Sequence, residues 1–196
     1  PHYTLARFLI HADLLGRAPG GDVVDIGVGG GGSTFAFAKS LRFMQRPGTV
    51  FGFDTFSGFP HVGPQDGNDS LVKVGGLNFG KAPVLRAQIE ANLPIQFIIG
   101  DITQTVPLWA QARIPGFRIA LLNLDADLYE PTAVALEYLM PLMAPGGIVI
   151  LDEYDVPAFP GEQRAVHDYF QKHAIPLPIL RRHPWGNNPS RYFYHV

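Results

Sequence analysis

The sequence predicts an α/β protein built on a mainly parallel sheet with helices on both faces. Two observations predict it. Short apolar runs alternate with segments of helical periodicity along most of the 196 residues, and clusters of Gly, Pro and Asn mark the junctions. Alternation of this kind goes with a parallel sheet buried on both sides.

The elements follow in order. Leu5, Phe8, Leu9, Ala12 and Leu15 fall near helical spacing, so a helix is predicted over Tyr3–Ala18, ended by Pro19, Gly20 and Gly21. Gly21–Val28 reads as a buried strand. Five glycines stand among the six residues from Gly27 to Gly32, and Ser33 and Thr34 are placed to cap a helix running to Gln45. After the Pro47-Gly48 turn a second strand covers Thr49–Asp54. Thr55–Gly80 shows no periodicity and recurrent Gly, Pro, Asn and Asp; a loop this long inside a compact domain is expected to be functional, as a lid over a site, with disorder as the alternative. Then come a helix over Ala82–Asn92, a strand over Ile95–Gly100, a short helix over Val106–Ala112, a strand over Phe117–Asp125 and a helix over Glu130–Met143. A turn at Pro145–Gly147, a strand over Ile148–Asp152 and a helix over Glu162–His173 follow. Leu177–Arg182 and Arg191–Val196 close the chain as two strands around a turn at Trp185–Pro189, adding an antiparallel edge. With no repeat or linker, residues 1–196 are expected to form a single domain.

Composition narrows the function. Hydrophobic residues make up 46% and charged residues 16%, which excludes disorder. The net charge of −2 and the lack of any basic run argue against a nucleic-acid partner. There are no cysteines, hence no disulfides, thiolate metal sites or cysteine nucleophiles. No signal peptide and no apolar stretch near 18 residues is present, so no membrane span is expected and a cytoplasmic protein is the reading. The chain opens on Pro1 rather than Met, which leaves open that N-terminal sequence is missing.

In open parallel sheets ligands bind beyond the carboxyl ends of the strands. Here those ends carry acids: Asp54, Asp101, Asp125, Asp152 and Glu153. Gly27, Gly29 and Gly32 fit the nucleotide-binding spacing, and Asp54 follows Gly32 by 22 residues, where an acid holds a ribose hydroxyl. Asp25, two residues before Gly27, would repel a pyrophosphate but suits a ligand with an ammonium and a sulfonium, which S-adenosylmethionine carries. A solvated or capped Asp25 is the alternative. Asp101 is placed either to accept from an adenine amino group or to cap the next helix.

If the strands ending at Asp125 and Asp152 are neighbours, about 4.8 Å apart, then Asp125, Asp152 and Glu153 surround one point. Three carboxylates there repel one another unless a proton or cation intervenes. Mg²⁺ fits such oxygen ligands, with Ca²⁺ or Mn²⁺ as substitutes. Helix capping and solvation are the alternatives for these acids. Asp127 faces the same pocket if the chain turns there, and then serves as a proton acceptor; otherwise it caps the next helix. His61 and His167 are the histidines placed to supply a base, Arg164 to anchor the acids and Tyr129 to line the substrate side. Among the aromatics after the second strand, Phe56 and Phe59 can touch a ligand. Trp109 and Trp185 read as packing.

Ile119–Thr132 (IALLNLDADLYEPT), Pro145–Tyr154 (PGGIVILDEY) and Gln163–Phe170 (QRAVHDYF), with Val23–Val28 (VVDIGV) and Phe53–Pro60 (FDTFSGFP), resemble the macrocin O-methyltransferase (TylF-like) family. The resemblance runs from Gly21 to Phe170 and implies a Rossmann-like class I methyltransferase fold, with a seven-stranded, mainly parallel sheet and an antiparallel C-terminal strand. It implies S-adenosylmethionine as cofactor, a divalent metal, and a small acceptor with hydroxyl groups on a sugar or related natural product. By position Asp125 and Asp152 match metal ligands, and Glu153 matches the third, where the family usually has Asp. Asp127 matches a residue serving as base in some members, where others use His. Asp25, Gly27, Asp54 and Asp101 fall at cofactor positions; with Gly29, Ser33, Thr55 and Ile102 beside them they make up the candidate cofactor set. Only about 20 residues precede the first predicted strand, fewer than in many members, so substrate recognition is expected to differ. Family members often form oligomers, which by analogy allows a homo-oligomer here. The rival readings are a catechol-type methyltransferase, a nicotinamide-dependent dehydrogenase using the same glycine loop, and a non-catalytic nucleoside-binding protein.

Overall fold

The computed structural model describes residues 2–183 and 192–196. Its strands are β1 (Asp22–Ile26), β2 (Val50–Asp54), β3 (Ile95–Ile99), β4 (Ile119–Leu124), β5 (Met143–Leu151), β6 (Arg181–Arg182) and β7 (Tyr192–His195). The helices are α1 (His2–Arg17), α2 (Gly32–Phe43), α3 (Ala82–Ala91), α4 (Ile102–Gln111), α5 (Tyr129–Leu139) and α6 (Pro160–Lys172). The strands form one sheet in the order β3-β2-β1-β4-β5-β7-β6. β1 to β5 run parallel, and β7 pairs antiparallel with both β5 and β6.

β1 lies inside the sheet because its apolar residues meet apolar partners on both sides: Val24 pairs with Phe51 on one side and Leu122 on the other. Alternate residues feed two cores. Val24, Ile26, Leu122 and Leu124 pack with α4, α5 and α6 through Val106, Leu136 and Val166. Val23, Val50 and Leu121 pack with α1 and α2 through Leu14, Phe37 and Leu41. At about 25 cal/mol per Å² of apolar surface removed from water, these clusters are the main drive for holding the strand ends in place. On the α5–α6 surface Glu137 accepts from Lys172 Nζ at 2.9 Å and lies 3.1 Å from His173 Nε2.

Several expected boundaries shift for identifiable reasons. α4 begins at Ile102, well ahead of Pro107, because the Asp101 carboxylate accepts from Thr103 N and starts the helix there. α5 stops at Leu139, and a 3₁₀ turn over Met140–Leu142 carries Pro141, which has no N–H to continue an α-helix. The expected turn at Pro145–Gly147 is instead a bulge inside β5: Ile119 pairs with Met143 but Leu121 pairs with Ile148. Gly146 N there donates to Val196 O, and Val196 N to Gly147 O. β6 is only two residues long, since Pro176 and Pro178 cannot donate to a ladder. Ser33 and Thr34 lie inside α2, whose N-cap is Gly31 in a left-handed conformation. The expected turn at Trp185–Pro189, with Arg191 and Pro1, lies outside the described residues. No described helix is long and apolar enough to cross a membrane.

Candidate active site

A cavity of about 550 Å³ opens at the carboxyl ends of the parallel strands, a size within the usual range of small-molecule sites. One half is built on the glycine loop. Gly27, Gly29, Gly30 and Gly32 line it, followed by Ser33 at the start of α2. Gly27 has φ +88° and a Cβ there would stand 1.8 Å from the Asp125 carbonyl oxygen, so only glycine lets this loop meet the turn after β4. Asp54, the last residue of β2, accepts from Gly29 N at 2.7 Å through one oxygen and from Phe56 N at 2.6 Å through the other. Asp101 accepts from both Thr103 N and Thr103 Oγ1 through Oδ1, at 2.9 and 2.8 Å. Thr55, whose hydroxyl donates to Gly58 O, and Ile102 complete this wall.

Asp25 is placed differently from the expectation of a residue facing the ligand. It has no exposed surface and lies behind the glycine loop. Ser33 Oγ and Thr34 Oγ1 donate to its Oδ2 at 3.0 and 2.5 Å, and Asn123 Nδ2 donates to Oδ1 at 2.8 Å. A buried carboxylate needs such donors. Asp25 therefore ties β1, α2 and β4 together under the loop, which is the capped alternative.

The loop over residues 55–80 forms the roof. It has no helix or strand of its own, but Phe59 N donates to Gly76 O and Gly75 N to Phe59 O, pinning its two arms together. Phe59, Pro60, His61, Leu77 and Phe79 face the cavity. His61 Nε2 is 2.7 Å from Glu130 Oε2 and its Nδ1 is 3.7 Å from Asp101 Oδ2, so the roof bridges α4 and α5. Asp66 reaches further: its Oδ1 accepts from Tyr129 N at 2.6 Å and its Oδ2 from Gly63 N at 2.8 Å. The N-cap residue of α5, Leu128, has no capping side chain, and Asp66 does that work from 63 residues away.

The other half of the cavity is acidic. Leu124 of β4 pairs with Leu151 of β5, and Asp152 N donates to Leu124 O, so Asp125 and Asp152 do follow neighbouring strands. Asp127 has φ +62°, which means the chain turns there and both Asp125 and Asp127 face the cavity. Asp125, Asp127 and Glu153 each bring one oxygen within 4.8 Å of the others. Asp152, expected among this group, is only 1% exposed and stands deeper in the same wall, and Asp127 takes its place in the triad. Oxygens on opposite sides of a divalent ion at 2.0–2.6 Å stand about 4–5 Å apart, so the triad fits a hard cation in both spacing and donor chemistry.

Glu162, in the first turn of α6, is the residue that sequence reading missed. It is fully buried, and neither carboxylate oxygen has a hydrogen-bond partner. Burial first, then the charges of Asp152, Asp125, Asp127 and Glu153, push it well above the usual carboxylate range. Its sequence signal, an acid after Pro160 and Gly161, is indistinguishable from an ordinary helix start. Asn123 and Asp66 were likewise unmarked.

The remaining candidates lie elsewhere. His167 is 2.7 Å from the Tyr154 hydroxyl and lines a separate hollow with Gln65 and Arg164, away from the acids. Arg164 donates to Gln65 O, tethering the roof and not the acids. Tyr129 donates to Asp168 on α6 and does not line the cavity. Phe56 packs edge-on against Phe97. Trp109 packs against Phe51 and Phe53, as expected.

This strand order, with a glycine loop after β1 and the reversed last strand, is the class I methyltransferase fold. The crystal structure of the calicheamicin methyltransferase CalS11 superposes with a TM-score of 0.82 at 28% identity, covering 99% of this chain and 78% of that one. Residues 12–186 match the macrocin-O-methyltransferase (TylF) family, and the chain belongs to it. A Streptomyces olivaceus enzyme named for 4'-O-methylation of 8-demethyl-8-(2,3-dimethoxy-alpha-L-rhamnosyl)-tetracenomycin C is 37% identical over 88% of this chain and 66% of its own. The mycinamicin III 3''-O-methyltransferase of Micromonospora griseorubida is 31% identical over 82% of this chain and 64% of its own. The chain thus spans somewhat less than two thirds of the length of these relatives. Membership decides against the dehydrogenase that the glycine loop alone left open.

Proposed function

We propose that this protein transfers a methyl group from S-adenosylmethionine to a hydroxyl of a sugar or other small diol-bearing natural product, with a divalent ion, Mg²⁺ by preference, at the acid triad. The observation that carries the reading is that one cavity joins a glycine loop, of the kind that cradles a nucleoside, to three convergent carboxylates. The names of the relatives support a glycosidic acceptor. We read residues 1–196 as one cytoplasmic methyltransferase domain.

When bound, the cofactor supplies a methyl on a sulfonium, and the cation lowers the pKa of the acceptor hydroxyl and fixes its oxygen. The chain does the rest. Gly29, Gly30 and Gly32 leave room for the cofactor against the backbone, and Asp54 and Asp101, each with lone pairs to spare, accept from its polar groups. Asp125, Asp127 and Glu153 would hold the cation through one oxygen each, with Asp152 deeper in the same wall, and the second oxygen of Asp127 would accept the proton of the acceptor hydroxyl as it takes the methyl group. The roof over residues 55–80 keeps water out and holds the two reactants together. Alignment of this kind removes on the order of 7–11 kcal/mol from a bimolecular barrier.

The test is calorimetry and turnover on Asp125→Ala and Asp152→Ala. Both variants are expected to lose methyl transfer and keep S-adenosylmethionine affinity, and chelation of the native protein is expected to do the same until Mg²⁺ is restored. Loss of cofactor binding in both variants would place the acids in the wrong half of the site.

A further inference from the structure

Glu162 has no role in the chemistry above, and its position is not accidental. It stands at the third residue of α6, whose N-cap is Phe159, without a capping side chain. A glutamate at this place usually turns back to cap its own helix, yet neither oxygen here finds a backbone donor. The helix cannot shift to relieve it. A Cβ on Gly161 would stand 2.5 Å from Tyr129 N and 2.3 Å from Asp66 Oδ1, so the first turn of α6 is pressed against the first turn of α5. That contact holds Glu162 at the start of α6, where the charges of Asp152, Asp125, Asp127 and Glu153 all reach it. A fully buried carboxyl with no donor and like charges around it is unfavourable in the chain by itself. A cation at the triad would make the arrangement favourable.

We propose that Glu162 is a positioning carboxylate of the divalent-cation site, closing it from behind on the α6 side and contributing its negative charge to the ion held by Asp125, Asp127 and Glu153. The inference rests on the reading that the triad holds such an ion. It makes the site a product of three elements, the β4–α5 turn, the end of β5 and the first turn of α6. Glu162 acts there as an outer carboxylate that sets affinity and the aim of the inner ones.

The experiment measures Mn²⁺ affinity by electron paramagnetic resonance on the wild type, Glu162→Gln and Glu162→Asp, with thermal melting in the presence and absence of the metal. Glu162→Gln keeps the shape and loses the charge. Its Mn²⁺ affinity is expected to fall about 10- to 100-fold, with metal-free melting unchanged or raised and the metal-induced rise reduced. Glu162→Asp, with the charge on a shorter arm, is expected to fall between the two. Equal Mn²⁺ affinity and an equal metal-induced rise in Glu162→Gln and wild type would overturn the inference and leave the cation reading standing. If Glu162→Gln does not fold, Glu162→Asp decides, and wild-type affinity in that variant overturns the inference. A wild type that binds no Mn²⁺ overturns both.

Discussion

Around the glycine loop, Asp25 accepts from Ser33, Thr34 and Asn123, Asp54 from two backbone N–H groups, and Asp101 from Thr103. Across the cavity Asp125, Asp127 and Glu153 converge on one point, and Glu162 is buried behind them with no donor at either oxygen. The same residue type thus does two jobs a few residues apart along the strand ends. Where the chain supplies donors, an acid is a joint that holds secondary structure in place; where acid meets acid, like charges converge on the cavity, the arrangement that the proposed cation site would use. Burial alone does not separate the two, because Asp25 and Glu162 are both fully buried. The identity of the neighbours does.

Four substitutions test that division, from large effect to small. Asp127→Asn removes the proton acceptor and one charge of the triad, and is expected to lower kcat by about 10²–10⁴-fold while weakening Mn²⁺ binding less than Asp125→Ala does. A loss of Mn²⁺ affinity as large as that of Asp125→Ala, with kcat restored at saturating metal, would make Asp127 a cation ligand and no base. Asp25→Ala orphans three buried donors and is expected to destabilise the protein by about 3 kcal/mol, read as a lower urea midpoint, with cofactor affinity falling as the loop loosens. A loss under about 1 kcal/mol would erase the distinction between joint and ligand site. Asp66→Ala removes the long-range cap of α5, at about 1 kcal/mol, and is expected to hasten proteolysis within residues 55–80. The smallest effect is expected on the far surface. Glu137 is held below the usual glutamate range by hydrogen bonds from Lys172 and then His173. Its folded value is the lower one, so its contribution is present above the usual range and is lost as pH falls through the depressed value. Glu137→Ala should therefore cost under about 1 kcal/mol at pH 7 and almost nothing near pH 2 in thermal melts.

The strands of the parallel sheet were legible because each is a short, largely apolar run, too short for a helix and bounded by Gly, Pro or Asp. So were the acids at their ends, since a strand end in a parallel sheet is a predictable place. Boundaries set by competing local forces were not. Pro107 reads as a helix breaker until Asp101 is seen to cap the helix ahead of it, and Pro145–Gly147 reads as a turn until β7 and Val196 absorb it as a bulge. In the site, Asp125, Asp127 and Glu153 could be found by motif and position. The part played by Asp25 could not, because it depends on Asn123, 98 residues away, occupying the cross-strand position. Asp66 and Glu162 escaped for the same reason: their meaning comes from contacts that no local pattern records.

One contact sets a length scale for the whole cavity. With no side chain on Gly27, the backbone of the glycine loop touches the carbonyl of Asp125 directly. Position 27 therefore works as a feeler gauge of zero thickness between the glycine-loop half and the acidic half of the cavity. Any side chain inserted there would push those two halves apart by roughly a bond length or more, and in the methyl transfer proposed above a gap of that size is expected to cost turnover before it costs binding.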